Sequence, residues 1–535
     1  MDHHQALINS ATSHVKYLSI DVVRDPLRPI YHVAALANWM NDPHGAIYSE
    51  GKIHLFYQTN PYGKNWGFIS WGHVVSSDGV YWEHRPLALV PTPASYDEHG
   101  VFSGCCVMFP DSSNPQTGLP TIFYTGLKRE EGDAHRDVKL SEQSQLKAVC
   151  TDNSNLDIWK KETKPIISPD SHPDYKNPTD DLDCMRDPFV WKEPNGYWYM
   201  LLGTSLRPAE NSRQVEGNAL LYRYEEDGDK WKCCGKFSDT FHGRNWECCN
   251  YLRLKEKDEE SNEIIIISPE YKKFDSDISN AKETKDVLWA LGSTNNSLNK
   301  CNSQQGGAYF SLHRDPDSGE MWHILDHGGY DGFYAATTLQ YEGETIVWGW
   351  STGGGSSNTN WDGILTLPRQ LKWIDKKLRI MPMRWIKQLR GALLFQGHHI
   401  IPTACHEERL NLADGDCVEI KADMQIKERG NVIFSLWNNQ VKISIYGQCR
   451  AITIDDGNIS HEVVLEPGIK IESFTFRCFL DRSIIEVFLD DLQSITRRVY
   501  PKDTNKKNIA VYSTSLETPP IVKTIHMWRM NSIWM

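Results

Sequence analysis

Helical periodicity is scarce along this chain, and short apolar, aromatic and β-branched runs dominate instead. KIHLFYQ (52–58), TIFYTG (121–126), YWYMLLGTS (197–205), EIIIIS (263–268) and TIVWGWS (345–351) are examples. Clusters of Gly, Asn, Asp or Pro separate many of them. This pattern predicts antiparallel strands in a propeller, barrel or sandwich. No strict repeat is present, but polar turn, aromatic-rich strand, turn and strand recur loosely, as in blades that share geometry without sharing sequence. Near residue 390 the texture changes. LRGALLFQGHHIIPTA reads as a connector, and after it come NVIFSLW (431–437), VKISIYG (441–447), FTFRCFL (474–480) and SIIEVFLD (483–490). The expected organisation is an N-terminal extension (1–30), a first all-β domain (31–390) and a second, smaller one (391–535), a sandwich.

Bulk properties remove several classes of function. The net charge is −13, and Lys and Arg form no convincing patch. Nucleic acid and an anionic membrane are therefore poor partners. No window reaches about 18 uninterrupted apolar residues, so no membrane-spanning helix is expected. The N-terminal MDHHQALINSATSHVKYLS lacks an apolar signal region, which points to the cytoplasm and leaves secretion open. Two sequons, at Asn295 and Asn458, arise too readily by chance to change this. The 13 cysteines include no Cys-x-x-Cys zinc pattern, so mostly free thiols are expected and neither metal nor cofactor is implied. The 19 tryptophans suit stacking on sugar rings, and equally a large β-rich core.

Three acids stand in suggestive places: Asp42 in NDPHG, Asp187 in MRDPFVW and Glu247 in NWECCNY. Taken singly, each has an ordinary reading as a turn aspartate or a strand glutamate. Arg-Asp-Pro occurs three times, at 24–26, 186–188 and 314–316, but only the second runs straight into an apolar strand. Glu247 lies between Trp246 and two cysteines, where desolvation would favour a protonated acid. Together the three fit retaining glycoside hydrolysis, which needs a carboxylate nucleophile and a carboxyl acid/base a few ångströms apart. A third acid beside an arginine could orient sugar hydroxyls.

The ordered motifs resemble those of glycoside hydrolase family 32, the invertases, inulinases, levanases, fructan exohydrolases and related fructosyltransferases. Asn38-Trp39-Met40-Asn41-Asp42-Pro43-His44-Gly45 is similar to the WMNDPNG signature. His54-Leu55-Phe56-Tyr57-Gln58, Trp66-Gly67, Trp71-Gly72-His73, Phe102-Ser103-Gly104, Phe123-Tyr124-Thr125-Gly126, Arg186-Asp187-Pro188 and Glu247-Cys248 follow in the family's order. Phe333-Tyr334-Ala335, Trp348-Gly349-Trp350, Leu367-Pro368-Arg369, Leu480-Asp481-Arg482-Ser483 and Ile485-Glu486-Val487-Phe488 complete the series. The resemblance implies a five-bladed β-propeller followed by a β-sandwich. It implies Asp42 as nucleophile, Glu247 as acid/base and Asp187 as transition-state stabiliser with Arg186 alongside. Asn41, Gln58, Trp66, Phe102 and Ser103 would line a fructose subsite, and Asp326 or Asp331 would face the leaving group. Departures at His44, Cys105, Cys249 and Asn250 cluster near the pocket.

The expected activity is cleavage of β-fructofuranosidic bonds in sucrose or fructans, with a small-molecule sugar as the partner and a homodimer compatible with it. A fructosyltransferase, in which a sugar acceptor replaces water, is the competing enzyme. A non-catalytic carbohydrate-binding propeller is the competing binding protein, and a structural scaffold the blandest reading. Retention of both Asp42 and Glu247 argues against the last two.

Overall fold

The computed structural model describes residues 3–534 apart from 112–113, 130–141, 152–154, 169–180, 208–215, 256–260, 272–285, 295–307, 317, 330–331, 355–359, 403–409 and 516. The fold is nearly all β. The expected strands are present: KIHLFYQ lies in Lys52–Asn60, all of YWYMLLGTS but its first residue in Trp198–Arg207, EIIIIS in Asn262–Glu270 and TIVWGWS in Glu344–Gly354. Each is strongly buried because it sits between neighbouring sheets. A run covered on both faces needs no polar alternation.

Five strands organise the N-terminal part: Asn38–Ser49, Gly100–Asp111, Asp181–Lys192, Asn245–Leu254 and Tyr334–Tyr341. The middle three each begin an antiparallel sheet that continues outward through consecutive strands, and the first and last belong to one nine-stranded sheet. Each touches the next, and Tyr334–Tyr341 touches Asn38–Ser49. All five line one cavity of ≈ 620 Å³. The nine-stranded sheet is held together by a short parallel pairing of Asn38–Ser49 with Trp361–Leu365, Asn38↔Trp361 and Trp39↔Asp362.

The five inner strands share an irregularity at one level. Register slips between Met40 and Pro43, Val101 and Gly104, Arg186 and Phe189, Glu247 and Asn250, and Tyr334 and Thr337. Bulges bend a strand and re-aim its side chains, and Pro43 and Pro188 have no N–H to lose to the ladder. Asp187, Cys248 and Ala335 adopt positive φ there. The bulged level is where the candidate acids lie.

Beyond residue 390, two six-stranded sheets pack face to face. Their shared core includes Val418, Ile420, Phe434, Ile443 and Phe476, with Phe434 and Phe476 stacked at 4.7 Å. LRGALLFQGHHIIPTA is not a connector. Arg390–Ile400 is a strand that pairs with Ile521–Met530 at the edge of one sheet. Its half-exposed pattern blurs the apolar alternation that would have marked it.

The two parts are joined by a buried polar network. Arg369 Nη1 donates to Asp326 Oδ2 at 2.7 Å, and Arg369 Nη2 donates to Glu486 Oε2 at 2.8 Å. Asp481 accepts from the Ile30 and Tyr31 amides, and His32 bridges Asp481 and Glu486. The late motif residues thus bind one part of the fold to the other. Residues 1–30 are more than an extension: His3–Val22 is a helix. Its Ile8, Ala11 and Val15 pack on Leu87 and Val90. Sequence periodicity hid it because Asn, Ser, Thr and His interrupt the apolar stripe.

Candidate active site

Asp42 sits in the first bulge. Its Oδ1 accepts from Asn41 Nδ2 at 3.0 Å, and its Oδ2 accepts from the Ser103 hydroxyl at 2.8 Å. Gln58 holds both donors: its Oε1 accepts from Asn41 Nδ2 at 2.6 Å, and its Nε2 donates to Ser103 Oγ at 2.6 Å. Trp39 Nε1 fixes Asn41 by donating to its Oδ1 at 2.7 Å. Four residues predicted to act together, Asn41, Asp42, Gln58 and Ser103, therefore form one connected network. His44 lies beneath it, stacked on Trp71 with Nδ1 3.3 Å from Ser103 Oγ. Burial holds the imidazole well below its ordinary pKa, so it is neutral.

Asp187 is almost fully buried. Its amide donates to Thr125 Oγ1, and its Oδ2 accepts from the Cys248 amide at 3.1 Å. Burial, opposed by Arg186 and reinforced by Asp42, pushes its carboxyl up to about 6. Cys248 Sγ lies 3.8 Å from Asp42 Oδ2 and 3.8 Å from Asp187 Oδ2, so a single sulfur touches both aspartates. Burial and the surrounding acids keep this thiol protonated.

Glu247 occupies the fourth bulge, with a side chain 21% exposed. Arg186 donates to its Oε1 from Nη2 at 2.7 Å and from Nε at 3.2 Å. The Tyr334 hydroxyl lies 2.7 Å from its Oε2. Burial, followed by the negative charges of Glu270, Asp187 and Asp42, outweighs Arg186 and pushes its carboxyl up to about 8. The raised value was expected, and burial is its first cause, but Trp246 is not what buries the group. Trp246 faces the opposite way, into an apolar cluster with Tyr199 and Ile265, and the charges of Glu270, Asp187 and Asp42 add to the burial of Glu247. Gly203 permits this packing, since a Cβ there would meet the Trp246 carbonyl oxygen at 1.6 Å.

Arg186, expected alongside Asp187, opposes the rise in that carboxyl's pKa, and its own hydrogen bonds go to Glu247 and Glu270. Trp66 is 47% exposed and lies edge-on to buried Phe102 at 5.9 Å, forming an aromatic rim. Asp326 does not face the site. It is fully buried against Arg369, Ser494 and Thr496, because an uncompensated arginine between the two parts of the fold requires a carboxylate partner. Asp331 lies outside the described residues. Cys105 is buried, its sulfur accepting from the Val190 amide. Asn250 bridges Cys248, Ala336 and Thr338. Both serve strand packing around the cavity.

Sequence reading missed Glu270 and the role of Tyr334. Glu270 ends the strand after IIIISP, and an acid closing a buried apolar run was the available signal. Among the described residues, no cluster of His, Cys, Asp and Glu could hold a metal ion. No helix among them is long and apolar enough to cross a membrane. Ten described cysteines are free thiols, and Cys234 is disulfide-bonded.

A buried network around one carboxylate, set beside a second carboxyl biased toward its protonated form, is the equipment of a glycoside hydrolase. The comparisons agree. The profile for the N-terminal domain of glycosyl hydrolases family 32 matches residues 32–382, and that for the family's C-terminal domain matches residues 387–529. The chain belongs to glycosyl hydrolase family 32. A sucrose-6-phosphate hydrolase of Zymomonas mobilis is 29% identical, over 89% of this chain and 88% of that protein. A levanase of Bacillus subtilis is 26% identical, over 95% of this chain and 71% of that protein. Among solved structures, a Bombyx mori family 32 β-fructofuranosidase superimposes with a TM-score of 0.74 at 24% identity, over 98% of this chain and 99% of that one.

Proposed function

We infer that the protein cleaves β-fructofuranosidic bonds with retention of configuration, through a covalent fructosyl–enzyme intermediate, on a five-bladed propeller backed by a β-sandwich. The ring of contacts among five inner strands supports the blade count. The observation that carries the chemistry is the contrast between two carboxyls. Asp42 is held by two donated hydrogen bonds, from Asn41 and Ser103, whereas Glu247 is pushed up to about 8 and keeps a proton at neutral pH.

The reaction follows from that contrast. Asp42 attacks the anomeric carbon of the fructosyl unit, and Glu247 donates its proton to the departing glycosidic oxygen. Glu247, now an anion stabilised by Arg186, takes a proton from water. That water attacks the anomeric carbon from the face the leaving group vacated, so two inversions give retention. Asp187, anchored by the Cys248 amide, accepts hydrogen bonds from fructosyl hydroxyls as positive charge develops on the ring. Trp66 offers an exposed ring to the sugar at the rim of the fructose subsite.

The test is incubation of pure protein with sucrose, sucrose 6-phosphate, inulin and levan, with products resolved by chromatography. Free fructose from at least one is expected. Oligosaccharides growing without free fructose would assign the competing transferase activity. No release or transfer from any of them would refute fructoside chemistry.

A further inference from the structure

Glu270 has no part in the steps above. It ends the Asn262–Glu270 strand, which pairs antiparallel with the strand carrying Glu247. Arg186 Nη2 lies 2.7 Å from Glu270 Oε2 and 2.7 Å from Glu247 Oε1, so one nitrogen serves two carboxyls. The Arg186 side chain is 13% exposed, and its charge is held by Glu270 and Glu247 against the cost of burial. Glu270 also receives a longer contact of 3.4 Å from Asn245 Nδ2.

The groups facing this cluster come from several strands. Glu247 faces Arg186 and Asp187 from one neighbouring strand, Asp42 from a second and Tyr334 from a third. Cys248 adjoins it on its own strand. Glu270 faces Arg186 and Arg244. A single guanidinium between two carboxyls cannot neutralise both, and the proton resides where ionisation costs more. Glu270 is 42% exposed and Glu247 21%, so water supports the charge on Glu270 first.

We propose that Glu270 is a positioning residue for the acid/base group, sharing Arg186 with Glu247 so that Glu247 remains a proton donor. The proposal rests on the reading of Glu247 as acid/base. Without Glu270, the whole guanidinium turns to Glu247 and a neighbouring negative charge disappears. Both changes favour the Glu247 anion, so Glu270 protects the protonated form that sucrose cleavage requires.

The test is the pH dependence of kcat/KM for sucrose in Glu270→Gln. The alkaline limb should move to lower pH by about one unit or more, the range for one charge at contact distance. At pH 8 that is a loss of about fivefold beyond any loss at pH 5. An aryl fructoside whose leaving group departs without a proton should keep its first-step rate at both pH values, which also reports a folded site. Glu270→Asp should return the limb part of the way. A limb that stays in place, or an equal loss on both substrates at every pH, would overturn the proposal. Glu247→Gln is measured in parallel. If it hydrolysed sucrose at the wild-type rate, the underlying assignment would fall. If it were impaired while the Glu270→Gln limb stayed in place, only the role of Glu270 would fall.

Discussion

Replacing Glu247 with glutamine should make the protein more stable in alkaline solution and have little such effect in acid. Glu247 rises from an ordinary 4.5 to about 8 in the folded protein. A group whose folded pKa is raised contributes stability that is fully present below its unfolded pKa and lost as pH rises through the folded value. The window therefore runs from about pH 4.5 to about pH 8. At 1.36 kcal/mol per unit, the difference between the two values sets an upper bound of about 5 kcal/mol. Water reaches part of the side chain, which reduces this to about 2–4 kcal/mol. Glutamine keeps the local bonds, since its oxygen can accept from Arg186 and its amide can donate to the Tyr334 oxygen. Whatever the substitution costs in packing is the same at both pH values and cancels in a double difference. Chemical unfolding followed by tryptophan fluorescence at pH 5 and pH 9 supplies that difference. Wild type should lose stability relative to Glu247→Gln between the two. Midpoints separated by the same amount at both pH values would show that Glu247 ionises without strain and would refute the argument for its protonated state.

Two further substitutions probe how the fold holds the site. Arg369→Met strands Asp326 and Glu486 as buried carboxylates between the two parts of the fold, and should cost about 3–5 kcal/mol in urea unfolding. An unchanged midpoint would mean that the network contributes nothing. Ile8→Ala removes the helix's contact with Leu87 and Val90 and should cost about 2–5 kcal/mol, read as a lower melting temperature with fructoside kinetics retained.

The strands that pair with the acid-bearing ones were readable because they are apolar runs bounded by turn residues. Asp42, Asp187 and Glu247 were readable as a set because each follows or begins such a run. The bulges were not, since a register slip depends on what the partner strand pairs with. For the same reason the hydrogen bonds of Arg186, adjacent to Asp187 in sequence, to Glu247 and Glu270 were not readable: the bulge turns successive side chains to different neighbours. Asp326 misled because a carboxylate near a Gly-Gly turn looks the same whether it meets sugar or a buried arginine 43 residues away. The helix His3–Val22 was missed because its stability comes from apolar residues on another segment rather than from its own periodicity.

The division of labour between Asp42 and Glu247 is tested most directly by trapping the intermediate. Glu247→Gln, given an activated aryl fructoside, can form the covalent adduct but lacks the base that activates water. Mass spectrometry of a protease digest should find one fructosyl residue on the peptide containing Asp42, with a burst of aryl alcohol matching the enzyme concentration. Asp42→Asn should show neither adduct nor burst. A burst retained in Asp42→Asn, or an adduct on a peptide without Asp42, would contradict the account.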